Sequence, residues 1–247
     1  VICLSAYTMY ERAIMNLKAL PGRLILLGAV LLLPMPGFAE EGELCAPFRD
    51  GKVDEALLST MLSAAKEGHL YRIDEDTSSV GFCVDSQLAR IEGKFNEFQG
   101  GMALNPVAKT DGQTMVVIKT ASVDTKSAFI KSMVKGENFF DVENNPEIMF
   151  VSKRLDWTSE DTAELKGDLT MRGATKPVTF HVSLKPIKAA NIEQAEKVLV
   201  KATAKLSRTE FGMTALSSLI SDEVQLCMTA EAKKYEAIKP TAPNGTE

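Results

Sequence analysis

Between residues 71 and 230 apolar and polar side chains alternate in short runs, the period of a strand with one face buried. In "SSVGFCVDS", Val80, Phe82 and Val84 fall on one side, with Gly81, Cys83 and Asp85 on the other. The same alternation recurs over 90–98, 101–104, 114–120, 148–155, 163–171, 178–184, 198–206 and 223–230. Turn chemistry separates these runs at Asp111-Gly112, Asn144-Asn145-Pro146, Arg172-Gly173 and Lys185-Pro186. No strand–helix–strand alternation is visible, so the sheet is expected to be antiparallel. About eight such strands make a closed barrel or a sandwich, and closure removes the exposed edges that invite aggregation.

Two segments change to helical period. In 40–68, Val53, Leu57, Met61 and Ala64/Ala65 form one apolar stripe, with Asp50 or Asp54 as a cap and Gly68 as the stop. This amphipathic helix is expected to pack across the mouth or side of the strand domain, or to bind a partner. In "DTKSAFIKSMVKGENFF", Ala128, Phe129, Met133 and Val134 recur about once per turn, with Asp124 or Thr125 expected to begin the helix and Gly136 to halt it. That helix delivers Phe139-Phe140 to a helix-to-strand junction, in a position to cross one end of a barrel.

Upstream, Lys18 and Arg23 flank the apolar run Leu24–Leu33, and Gly37-x-Ala39 offers small residues for cleavage. This is the pattern of a secretory leader, and its apolar run is too short for the ~20 residues of a spanning helix. Cleavage is expected after Ala39, with residues 1–14 lying upstream of the initiator Met15. The expected organisation is 1–39 upstream residues and leader, 40–69 a helical extension, 70–232 the strand domain and 233–247 a flexible tail. Glu43-Leu44 before Cys45 do not suit lipoprotein processing, so no stable membrane anchor is expected after cleavage.

Loss of residues 1–39 leaves 25 basic against 32 acidic residues, net −7. An acidic chain without a basic tract lacks the charge that neutralises phosphates, so nucleic acid is not an expected partner. Cys45, Cys83 and Cys227 remain, as expected for an exported chain able to close one disulfide. If the first and last strands pair, Cys83 and Cys227 become neighbours, and Cys83–Cys227 is the expected bridge. Cys45–Cys83 and Cys45–Cys227 compete with it. His69 and His181 stand far apart in sequence, so no metal site is expected. No nucleophile elbow, phosphate-binding glycine loop or His-Glu-x-x-His run is present, so the chain is not expected to be an enzyme. Asp168, Arg172 and Lys176 are read as solvated charges on a hairpin turn, and Arg208 with Glu210 as a strand-end ion pair.

The order of "GKFNEFQGGMALNP", "ENFFDVENNPEIMFVS", "LKGDLTMRGATKPVTFHVSL", "LSRTEFGM" and "DEVQLCMTAEA" resembles the YceI-like family of lipid- or polyisoprenoid-binding periplasmic proteins, over about 70–232. The resemblance implies an all-β, antiparallel, eight-stranded lipocalin-like barrel with a short helix near its mouth. It also implies a periplasmic location and an apolar lumen that binds an isoprenoid, quinone or fatty-acyl ligand, with no further cofactor. Candidate ligand-binding residues are Val80, Phe82, Val84, Phe95, Phe98, Met102, Phe139, Phe140, Ile148, Phe150, Leu169, Met171, Val178, Phe180, Phe211, Met213, Leu226 and Met228. The chain departs from the family at Ile130-Lys131 and Met133, where many members carry Arg-Asp and a histidine, and at Ser86, where a histidine is frequent. Headgroup contacts made there are not carried over.

Each of these side chains also serves as plain core, because an eight-stranded barrel is wide enough either to be filled by its own residues or to hold one small ligand. Two function classes follow. One is an exported lipid-binding or carrier protein whose partner is an apolar small molecule, a homodimer being open. The alternative is a structural or stress-response interaction protein with a filled barrel, acting through its N-terminal helix.

Overall fold

The computed structural model describes residues 55–104 and 112–235, all within the compact unit Val53–Glu247. The leader, Cys45, the cap residues Asp50 and Asp54, the Asp111-Gly112 turn as a pair and nearly all of the C-terminal tail lie outside the described residues.

Helix α1 (Glu55–Lys66) is followed by strands β1 (Leu70–Ile73), β2 (Ser79–Ser86), β3 (Ile91–Phe95), β4 (Phe98–Ala103), β5 (Gln113–Lys119) and β6 (Val123–Thr125). Helix α2 (Ala128–Lys135) then leads into β7 (Glu147–Trp157), β8 (Thr162–Met171), β9 (Ala174–Ile187), β10 (Lys197–Ser207) and β11 (Ile220–Lys234). All pairings are antiparallel, and the order β1-β4-β5-β7-β8-β9-β10-β11 closes through β1 on β11, with Tyr71 opposite Lys234. The result is a closed eight-stranded barrel. The segments β2, β3 and β6 extend β1, β4 and β5 towards one end, with β2 on β11, β3 on β2 and β6 on β3.

That end is the mouth. β5 leaves β7 at Lys119 and β6 pairs only with β3, so the wall parts between β6 and β7. Helix α2 and residues 136–146 fill the gap. Ser127 caps α2 by accepting from the Ile130 amide, and Gly136 stops it, as its period predicts. The turn at Asn144-Asn145-Pro146 is held by both asparagine amides on the Asp141 carbonyl and by the Thr120 amide on the Pro146 carbonyl at 2.9 Å.

The opposite end is closed by the β9–β10 connection, whose Ile192 and Ala195 pack on the core. α1 leads directly into β1 and packs on the outer face of β1, β4 and β5, with Met61, Ala64 and Ala65 buried against the side of the barrel. It therefore sits away from the mouth, and Gly68, at φ +73°, ends it. Nearby, the Tyr71 hydroxyl lies within hydrogen-bonding distance of the Ile192 and Ala195 carbonyls, at 2.8 and 2.9 Å, tying down the β9–β10 connection.

Of the turns read from sequence, one needs correction and one is borne out. Lys185-Pro186 is not a turn but lies inside β9, opposite Leu199 and Val198; proline is tolerated in a strand where its missing N–H is not called upon. Arg172-Gly173 is a two-residue hairpin turn, with φ of +52° and +72° and Met171 paired to Ala174. Both central residues take the left-handed angles that a twisted hairpin asks for, which is why a glycine occupies the second.

An enclosed apolar cavity and its mouth

Because side chains alternate along each strand, the buried face of all eight converges on one axis. A cavity of about 160 Å³ lies there. Its walls run from Leu155 and Leu184 near the shut end to Leu206 and Met213 at the mouth. At ~3.3 Å per residue, the seven-residue step from Ile148 to Leu155 is roughly 23 Å of strand. The void is thus long and thin.

Of the candidate residues, Val80, Phe82, Val84, Phe95, Met102, Phe139, Phe140, Ile148, Phe150, Leu169, Met171, Phe180, Met213, Leu226 and Met228 border the cavity. Phe98, Val178 and Phe211 are buried but do not border it. They are core, not lining.

Aromatic rings constrict the mouth end. Phe82, Phe95 and Phe140 form a triangle with centroids 6.0, 5.5 and 5.5 Å apart, and Phe140 presents its edge to the other two. The Phe82 ring packs directly on Gly93, where any Cβ would come within 2.4 Å of it. Further round the wall, Phe150 and Phe180 meet edge to face at 5.0 Å. Met133 and Val134 from α2 close over this group. Met133 adds apolar, adaptable lining. Ser86 turns away from the lumen and donates to the Ala89 carbonyl at 2.6 Å.

Polar groups at the wall are few: the Thr114 amide takes the Ser152 hydroxyl at 2.6 Å, and Arg208 is satisfied by backbone. Arg208 is 3% exposed. Its guanidinium donates to the carbonyls of Ser221 (3.0 Å), Ala215 (2.9 Å), Ile220 (3.1 Å) and Met213. The strand-end ion pair with Glu210 is therefore not what Arg208 makes. It pins the loop between β10 and β11 from inside, and its fork geometry suits several carbonyls at once. Arg172 does the same from outside, donating to the carbonyls of Glu137 and Phe139. Asp168 pairs with Lys153 at 2.7 Å instead of converging with Arg172 and Lys176 on an anion.

Sequence reasoning passed over Val182, Leu184, Val200, Ala202, Leu206, Leu155 and Leu165, all of which border the cavity. The signal was present, since Phe180, Val182 and Leu184 continue one period-2 row, as do Val200, Ala202, Leu206 and Arg208. Attention to aromatic and methionine residues hid it.

The expected Cys83–Cys227 bridge is absent, and both residues are free thiols. β2 does pair with β11, but in a register that sets Cys83 opposite Gln225 and Cys227 opposite Gly81. The two cysteines are diagonal neighbours, and a bridge needs Cα atoms no more than ~7 Å apart. Arg90 instead contacts the Cys83 sulfur at 2.7 Å and Gln225 Oε1 at 3.0 Å. Burial pushes the Cys227 thiol up, and the neighbouring Cys83 adds to the shift. The pairings with Cys45 lie outside the described residues. No group of three or more potential metal ligands occurs among the described residues.

A closed antiparallel barrel of eight strands around an enclosed apolar void defines the class. Residues 71–232 match the YceI-like domain, about two thirds of the chain, and the chain belongs to that family. It is 32% identical over 148 residues to a UPF0312 protein of Pseudomonas putida, covering 60% of this chain and 73% of that one. Another UPF0312 protein, from Pseudomonas savastanoi, is 33% identical over 115 residues, 47% of this chain and 57% of its own. Among solved structures, Burkholderia cenocepacia BcnA superposes with a TM-score of 0.60 at 22% identity, covering 65% of this chain and 99% of that one. A polyisoprenoid binding domain from Saccharophagus degradans superposes with a TM-score of 0.53 at 14% identity, covering 66% and 98%. At these identities the structural likenesses speak to the fold.

Proposed function

We propose that this chain is an exported, periplasmic lipid-binding or carrier protein that holds one isoprenoid or fatty-acyl chain in the barrel lumen. The single observation behind this reading is the unbroken apolar lining of the void from the shut end to the mouth. Burial of each ligand methylene contributes ~0.8 kcal/mol, so a chain molecule binds such a tube with little polar contact. Membership of the family and the name of the Saccharophagus degradans domain support the same ligand class. A quinone, with an isoprenoid tail, fits within it.

Size sets a condition. The void of about 160 Å³ is smaller than the ~300–1,000 Å³ of usual ligand pockets. A long chain therefore enters by displacing side chains, and Met102, Met133, Met171, Met213 and Met228 are the ones with rotamers to spare. The same small volume favours the second reading, a filled barrel that acts through its surface.

A fluorescent polyene fatty acid tests the two. Under the carrier reading it saturates at one per chain and is competed out by a prenyl alcohol, while Ala202→Leu, which fills the lumen midway, lowers its affinity at least about tenfold and leaves the fold intact. No saturable uptake by the wild type decides for the filled barrel.

A further inference from the structure

Among the described residues four large apolar side chains are exposed: Leu88 (98%), Phe129 (77%), Leu219 (48%) and Leu216 (44%). All four lie at the mouth. Leu88 is in the β2–β3 connection, Phe129 in α2, and Leu216 and Leu219 in the β10–β11 connection. Scattered single leucines are ordinary on a protein surface, but four gathered at the one end of a barrel where its wall parts are not.

The segments that bear them are bonded into one rim. Gln87 donates its amide to the Leu219 carbonyl at 3.0 Å and its side chain to the Ser218 carbonyl at 2.8 Å. Lys126, just before α2, pairs with Glu92 of β3 at 2.7 Å. Leu216 holds φ +54°, an angle that costs a bulky residue, while its carbonyl receives the Leu219 and Ile220 amides at 2.9 Å. The backbone is thus strained to keep Leu216 at the surface, and such strain gathers at working sites.

We infer that this rim docks reversibly on a lipid bilayer, its four apolar tips entering the headgroup–acyl boundary and bringing the mouth against the membrane. Four side chains of this size expose a few hundred Å² at most, short of the ~800 Å² per partner of a stable protein interface. They come from three separate segments and stand apart, a form suited to insertion among lipid chains more than to a matching protein surface. The cations beside them are already engaged, Arg90 by Asp85 at 3.3 Å, Lys126 by Glu92 and Lys131 by Asp124 at 3.0 Å. Docking is therefore driven by the apolar tips and does not require anionic lipid. The lumen reading supplies its purpose, transfer of an apolar chain without passage through water; the docking itself does not depend on a filled or empty lumen.

Flotation with phosphatidylcholine vesicles tests it. Wild-type protein floats, with little change when phosphatidylglycerol or salt is added, and Leu88→Asp/Phe129→Asp lowers vesicle partitioning at least about tenfold, each lost insertion being worth more than a factor of a few. Both positions are exposed, so the double variant keeps its fold and its thermal transition. In Phe129→Trp the emission shifts to the blue on vesicle addition, whereas Trp157, at the shut end, does not respond. Wild-type protein left at the bottom of the gradient, or a double variant that floats like the wild type, overturns docking. So does a wild-type dimer that the double variant dissolves, since a second copy then covers the rim. The polyene probe is run alongside on the wild type: flotation without uptake of the probe refutes the lumen reading alone, and uptake without flotation refutes docking alone, while Ala202→Leu is expected to float with its uptake lowered.

Discussion

Arg208 shows how much a single residue contributes here. Its motif is readable, but its partners are not, because four backbone carbonyls from residues 213–221 are brought to it only when β10 and β11 pair. Replacing it with methionine keeps the apolar stem and leaves those carbonyls buried without donors. An unsatisfied buried acceptor costs about 1–3 kcal/mol, so Arg208→Met is expected to lower stability by roughly 3 kcal/mol in urea unfolding. Arg208→Lys recovers only part of that, since one ammonium cannot span the fork. The phenylalanine pair behaves differently. Phe139→Ala/Phe140→Ala removes one corner of the ring triangle and opens the mouth. Truncating one buried aromatic costs about 3–5 kcal/mol, and the probe is expected to dissociate faster by a larger factor than unfolding accelerates. Equal losses would make both residues plain core.

At the scale of elements, the β10–β11 connection is held at its base by polar groups. The Ser207 hydroxyl first, and then the Thr209 amide and hydroxyl, hold the Asp222 carboxyl below the usual range. The Thr209 amide reaches Asp222 Oδ1 at 2.9 Å. A carboxylate whose folded pKa is depressed stabilises the native state above its unfolded value, near 3.9, and that contribution disappears as pH falls through the folded value. Amide exchange in residues 208–220 is therefore expected to speed up below about pH 4, and Asp222→Asn to abolish the change. Among the described residues the cavity lining contains no Asp, Glu or His, so probe affinity is expected to stay flat over the range around neutrality.

Elements also divide what the chain shows before folding from what it does not. α2 was legible because its stripe and Gly136 stop agree, although its start lies at the Ser127 cap and not at Asp124 or Thr125, which belong to β6, and β2, β8 and the Arg172-Gly173 hairpin because period and turn chemistry agree. β9 was cut short at Lys185-Pro186 because a proline outweighs the neighbouring pattern in local reasoning, whereas its pairing to β10 decides the matter. The cysteines failed for a related reason. Alternation identifies the face of a residue, but register is set by the partner strand, and an offset of two residues separates thiols on the same face.

For the whole molecule, an antiparallel barrel or sandwich could be read from period and turns, and the choice of a barrel with a lumen from the resemblance. Its width could not. Whether eight strands leave a void depends on how rings such as Phe82, Phe95 and Phe140 nest, and packing of that kind has no trace in spacing. The exposed rim was equally hidden, since Leu88, Phe129, Leu216 and Leu219 share no periodicity and meet only at the mouth. A tube closed at one end by the β9–β10 connection and capped at the other by α2 and two arginine-held loops has one natural route for a chain molecule, through the mouth. The most direct test is native mass spectrometry of the protein purified without detergent. A carrier appears as the polypeptide plus one apolar molecule that organic extraction removes. A mass of the polypeptide alone, unchanged after incubation with prenyl and fatty-acyl chains, would contradict the account.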